Sequence, residues 1–157
     1  MQINSSEAPP SGDIIAAWTK VAAFASAVDA SLDKWLADTY RIGLTEFRAL
    51  TFVSQTSEKE LRVNHLARKV GLNQTSATRL VTRLEAKGYA RRDVCQDDGR
   101  GVYAVITEEG EALLREARES YEARVCELLE NSATHFPHLQ VRQLSYALNE
   151  VGTLLAT

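Results

Sequence analysis

The chain has 157 residues, 18 lysines and arginines against 21 aspartates and glutamates, and is 45% hydrophobic and 25% charged. That length suits one domain, or one domain with a dimerisation arm, and the composition excludes an intrinsically disordered chain. No unbroken apolar run reaches the roughly 18 residues of a membrane helix.

The opening "MQINSSEAPPSG", residues 1–12, is polar and has no basic segment followed by an apolar one. It reads as a disordered tail rather than a secretory signal. Two cysteines, Cys95 and Cys126, are too few for a disulfide scaffold, so a reducing cytoplasm is the expected compartment. The net charge of −3 conceals a segregation. Residues 62–100 hold nine bases against four acids, a local +5, between flanks that sum to −8. A basic middle of this kind is an electrostatic footprint for a polyanion.

Residues 13–39 read as one long helix, with Ile14, Trp18, Val21, Ala25, Val28, Leu32 and Trp35 spaced alternately by four and three. That is a heptad seam. Ile15, Ala22, Phe24 and Leu36 widen the apolar surface beyond one seam. The helix therefore needs two partners, its own core and something else. Gly43 ends the connection, and Thr45 is the expected cap of a second helix carrying Phe47, Leu50 and Val53.

The stretch "RVNHLARKVGLNQTSATRLVTRLEAKG", residues 62–88, carries the most information. A short helix buries Val63, Leu66, Ala67 and Val70. Gly71 then permits a sharp turn. Leu72 points inward, and Asn73 caps a second helix that buries Ala77, Leu80, Val81 and Leu84. The opposite face of that helix shows Gln74, Thr75, Thr78, Arg79, Thr82 and Arg83. An alanine, a glycine four residues on, and small or apolar residues beyond it form a helix-turn-helix pattern.

Residues 89–95 and 102–107 are rich in β-formers and joined by "QDDGRG", which predicts a hairpin. Thr107 is placed to cap a helix running to about residue 131, with Glu108 and Glu109 in its first turn. That helix is expected to bury Leu113, Ala117, Tyr121, Val125 and Leu128. Pro137 suits the start of a last helix, along which Val141, Leu144, Leu148, Val151 and Leu155 form another heptad seam. Nothing here resembles an enzyme. No glycine-rich phosphate loop follows a strand, and no nucleophile sits with a base. His65, His135 and His138 form no metal cluster with the cysteines, so neither metal nor cofactor is expected.

A helix-turn-helix followed by a hairpin is a winged helix, here set between one long helix and two C-terminal helices. That order resembles the MarR family of bacterial transcription regulators. The residues that carry the resemblance are Leu44–Thr45, "LARKVGLNQTSATRLVTRLEAKG" at Leu66–Gly88, and "DGRGVYAVITEEG" at Asp98–Gly110. The last fits the family's wing signature, with Ile106 where leucine is usual. The resemblance implies a mainly α fold with a small β-hairpin wing. Residues 13–43 would form an N-terminal dimerisation helix, 44–107 the winged helix-turn-helix DNA-binding domain, and 108–157 the C-terminal dimerisation helices. It also implies a homodimer through the first and last helices, bound to double-stranded DNA at pseudo-palindromic promoter sites. A repressor released by a small-molecule effector is the commoner outcome in the family. The two heptad seams support the dimer independently.

On the recognition helix, Arg79 is the expected base reader, because its fork suits guanine O6 and N7. Gln74, Thr75, Ser76 and Thr78 cluster at the end where base edges or phosphates are met, and Arg83 is expected on the DNA backbone. The wing is placed to reach the minor groove, whose negative potential attracts Arg100. Asp98 cannot favour DNA directly; it is expected to hold Arg100 or Arg92 by a charge-assisted hydrogen bond, a pairing the resemblance also implies. For an effector, the family's crevice between dimerisation helices and winged domain points to Trp35, Tyr40, Arg41, Phe47, Arg48 and Tyr121, a lining suited to a planar anion. Cys95 and Cys126 are the only candidates for redox sensing. The reading from another class is a winged helix that binds protein partners and no DNA; an exposed apolar face in place of a basic, hydrogen-bonding one would favour it.

Overall fold

The computed structural model describes residues 11–94, 101–139 and 144–156. In chain order the elements are α1 (Ser11–Tyr40), α2 (Leu44–Ser54), β1 (Glu60–Arg62), α3 (Val63–Val70), α4 (Gln74–Ala86), β2 (Ala90–Val94), β3 (Val102–Ile106), α5 (Glu108–Glu130), α6 (Ser132–His135) and α7 (Leu144–Leu155). They form two compact units, residues 32–123 and residues 1–31 with 124–157.

The first unit is built on α3, its turn and α4. Leu66, Leu80, Val81 and Leu84 are almost wholly excluded from solvent, as are Leu36, Ile42 and Leu50. Burying each such side chain is worth about 1.5–3 kcal/mol, so this cluster dominates the stability of the unit. Ala67 on α3 and Ala77 on α4 are both buried, and the two helices contact each other. Gly71 closes α3 with φ +71, in the left-handed region that a side chain rarely adopts. The Leu72 N–H then donates back to the Ala67 carbonyl at 2.8 Å. Asn73 caps α4 as expected: its Oδ1 accepts from the Ser76 N–H at 2.8 Å.

Two local expectations are corrected here. The cap of α2 is Gly43, not Thr45. Glu46 reaches back to the Gly43 N–H at 3.2 Å, and Asp33 Oδ1 takes the Leu44 N–H at 2.8 Å. Two carboxylates thus satisfy the first amides of α2, and a hydroxyl cap is not needed. The wing is also more than a hairpin. β1 pairs antiparallel with β3 in the register Glu60↔Val105, Leu61↔Ala104 and Arg62↔Tyr103, giving a three-stranded sheet of order β1-β3-β2. A strand of three residues with two charged ends shows no alternation to read in sequence.

The end of the sheet is locked to the start of α5. Thr107 Oγ1 donates to the Gly88 carbonyl at 2.6 Å and accepts from the Gly110 N–H at 3.1 Å. Gly110 is required by closeness: a Cβ there would lie 2.3 Å from the Tyr89 carbonyl oxygen and 2.8 Å from Ile106 Cγ1. Further along α5, Leu113 and Ala117 are buried as expected, whereas Tyr121 and Val125 are only half-buried.

In the second unit, Phe24 meets Phe136 edge-on with centroids 5.8 Å apart. Glu127 accepts from Arg124 at 2.7 Å and contacts His135 on its other oxygen. Pro137 does not begin the last helix; it lies in a turn after α6, and α7 is assigned from Leu144. Of that helix's expected seam, Val141 falls outside the described residues.

The seam expected along α1 is not the stripe that the chain buries. The buried residues are Ala17, Phe24, Val28, Leu32 and Leu36, while Trp18 is 59% exposed and Ala25 is open to solvent. Only Val28 and Leu32 belong to both sets. Both faces of α1 are apolar, so periodicity registers their sum and cannot tell which face the chain itself covers. The same surplus makes Ile14–Tyr40 long and apolar enough to cross a membrane by length and composition, although no unbroken apolar run exists.

Candidate nucleic-acid interface

Helix α4 presents a polar face that contains no large apolar side chain. Gln74, Thr75, Thr78, Arg79, Thr82 and Arg83 are all exposed, and Ser76 is half-buried beside its cap. The hydroxyls of Thr78 and Thr82 donate to the carbonyls of Gln74 and Thr78, each at 2.9 Å. The Thr78 oxygen keeps acceptor capacity, while Thr82 Oγ1 also accepts from the Arg92 guanidinium. Arg79, at the middle of this face, has no hydrogen bond or ion pair among the described residues.

Arg83 is different. Its Nε donates to Glu46 Oε1 at 3.1 Å. Lys87, just past α4, donates to Glu46 Oε2 at 2.6 Å and to the Arg41 carbonyl at 3.1 Å. The Glu46 side chain is only 8% exposed. Burial works to raise its carboxyl, but hydrogen bonds from Lys87, the Gly43 N–H and Arg83 outweigh that and hold it below the ordinary 4.5. This carboxylate was missed by sequence reasoning, because its partners lie 37 and 41 residues away. Its one legible trace is the N3 glutamate pattern of a capping box.

Arg92 joins the wing to α4. Its backbone N–H donates to Glu85 Oε2 at 2.9 Å, and its guanidinium reaches Thr82 Oγ1 and lies 3.8 Å from Glu85. Arg92 is thus engaged from α4 itself. Asp98 and Arg100, expected at the wing tip, lie outside the described residues, as does Cys95. Where the described strands approach that tip, Val94 pairs with Val102, and both side chains are exposed. On β1, Arg62 donates from Nε to the Tyr103 hydroxyl at 2.9 Å and lies over the Tyr103 ring.

The six residues expected around an effector separate. Phe47 and Tyr121 stack at 4.7 Å and line a cavity of about 350 Å³ with Thr51, Gln55, Arg118 and Glu122. Trp35 and Tyr40 pack edge-on against each other at 5.7 Å, and neither lines that cavity. Arg41 is exposed with φ +58, and Arg48 is half-buried; neither lines the cavity. Arg118 is the cationic residue that sequence reading passed over. It sits one turn before Tyr121, among many other charges on α5. Cys126 is exposed and unbridged. Among the described residues, no group of histidine, cysteine and carboxylate side chains could hold a metal.

A helix-turn-helix, a three-stranded wing and an outward basic helix face now stand together. The MarR family model matches residues 42–101, from the start of α2 to the wing. Over that segment the chain is similar to the MarR family. The likeness of fold extends further than that segment. A MarR family transcriptional regulator from Streptomyces coelicolor, solved in complex with DNA, is 20% identical with a TM-score of 0.70, covering 98% of this chain and 91% of its own. The transcriptional regulator BldR from Sulfolobus solfataricus is 25% identical with a TM-score of 0.68, covering 90% and 95%. MepR from S. aureus, also solved with DNA, is 16% identical with a TM-score of 0.63, covering 82% and 88%. No curated protein matches the chain. The mainly helical winged fold is that of the MarR regulators.

Proposed function

We propose that this chain is a MarR-family regulator: a cytoplasmic, dimeric, sequence-specific DNA-binding repressor of transcription released by a small-molecule effector. It acts by binding rather than by catalysis. The observation that carries the reading is the exposed face of α4. Arg79 is unengaged among the described residues, threonine and glutamine surround it, and a basic segment of local charge +5 frames it. Such a face suits base edges in the major groove. The reading is supported by the two fold neighbours whose structures hold DNA. Residues 44–107 are the DNA-binding part in this reading, with Gln74, Thr75, Ser76, Thr78 and Arg79 at the bases, Arg83 on a phosphate, and the wing residues Asp98, Arg100 and Arg92 at the minor groove.

The exposed apolar residues of the other unit support the homodimer. Ile15 and Trp18 on α1, and Leu154 and Leu155 on α7, are more than half exposed. They are what residues 13–43 and 108–157 would cover with a second copy, and they account for the apolar surplus of α1 without a membrane. The effector is assigned to the Phe47–Tyr121 cavity, where Arg118 suits a planar anion.

A competition titration tests the reading. Wild-type protein should prefer its selected site over mixed-sequence duplex by at least about 10³-fold at fixed salt. Arg100→Ala should weaken both and reduce the salt slope by about 0.9 per protomer. Equal affinity for all duplexes would favour the reading as a protein-binding adaptor, which the polar character of α4 disfavours.

A further inference from the structure

Glu46 does more than cap α2. One oxygen accepts Arg83 Nε at 3.1 Å, and the other accepts Lys87 Nζ at 2.6 Å and the Gly43 N–H at 3.2 Å. Lys87 also holds the Arg41 carbonyl, and Asp33 holds the Leu44 N–H. The corner between α1 and α2 is thereby bound to the last turn of α4. The guanidinium of Arg83 is divided by this arrangement. Its Nε is committed to a carboxylate that is 8% exposed, while the side chain as a whole is 55% exposed. The two terminal nitrogens have no partner among the described residues and remain available to an anion outside.

We infer that Glu46 is the positioning residue of this interface: it holds Arg83 from behind, so that the terminal nitrogens of Arg83 grip a DNA phosphate at a set register. The inference rests on the DNA-binding reading. An arginine anchored at Nε loses less rotamer freedom when it meets a phosphate, and it presents a planar two-nitrogen edge. A contact of fixed geometry rewards the correct register more than a wandering charge does. Removing the Glu46 charge also removes a nearby repulsion toward DNA, so non-specific binding should hold or tighten. The ratio of specific to non-specific affinity therefore falls. A merely structural bridge has no such signature.

The test compares affinity for the tightest duplex selected from a random-sequence pool with affinity for mixed-sequence duplex of equal length, using full-length folded protein. Glu46→Gln keeps the shape and should lower that ratio about tenfold, equivalent to about 1.4 kcal/mol. In an Arg83→Ala background the same change should alter the ratio by less than about twofold. Arg83→Lys keeps the charge at an exposed position but cannot bind Glu46 with one nitrogen and a phosphate with two others. It should lose most of what Arg83→Ala loses, and it decides the matter if Glu46→Gln does not fold. A ratio unchanged in folded Glu46→Gln, an equal loss in the Arg83→Ala background, or wild-type behaviour of Arg83→Lys would each overturn the inference while leaving the regulator reading in place. A wild-type protein with no sequence preference would overturn both.

Discussion

Arg79 and Glu46 are the two residues on which most of this account turns, and they were unequally visible. Arg79 is legible because its proposed role needs nothing distant: helix phase places it outward, and its chemistry suits guanine. Arg79→Ala should therefore relax specificity at one base-pair position by about 1–3 kcal/mol, measured by binding to a panel of single-base operator variants; an unchanged preference at every position would remove its role. Glu46 joins residues far apart in the chain, and such pairings have no periodic trace. Its effect on stability has a definite sign. The folded carboxyl lies below its ordinary 4.5, so its stabilising contribution is complete above that pH and is lost as pH falls through the lower folded value. Urea unfolding of wild type and Glu46→Gln between pH 7 and pH 3 should show the wild-type advantage shrinking below about pH 4.5. An advantage that grows on acidification would contradict the bridge.

At the scale of elements, the punctuation residues made the helix-turn-helix readable. Gly71, Asn73 and Thr107 do what their types predict, because turn and cap geometry is decided within a few residues. Gly110 is a stronger case. It was recognised as part of a wing signature, and the close approach of the Tyr89 carbonyl explains it. Gly110→Ala should destabilise the protein by about 1–3 kcal/mol through overpacking, and Asn73→Ala by about 1 kcal/mol through the lost cap. Thermal unfolding checks both; a neutral Gly110→Ala would mean that α5 does not seat against the wing. What stayed illegible was β1, too short to show a period, and the start of the last helix, where Pro137 suited a helix entry yet stands in a turn.

For the whole molecule, the apolar excess on α1 was plain in the sequence, but its division between faces was not. Periodicity sums a face buried within the chain and a face left open. Trp18 at 59% exposure belongs to the open one. Trp18→Glu should leave the fold intact and shift sedimentation from dimer toward monomer at micromolar concentration. A wild-type monomer, or a variant that sediments as the wild type does, would contradict the dimer. The basic footprint was legible because charge adds along the chain whatever the fold. Of the cavity lining, Phe47 and Tyr121 were among the residues expected together, while Arg118 was hidden among its charged neighbours.

Footprinting of the wild-type protein on fragments of its own genome, its own promoter included, at fixed salt decides whether the chain reads DNA sequence. A sequence-reading dimer protects a two-fold site whose half-sites lie about one helical turn, some 34 Å, apart. Uniform protection, or none beyond non-specific binding, would contradict sequence reading.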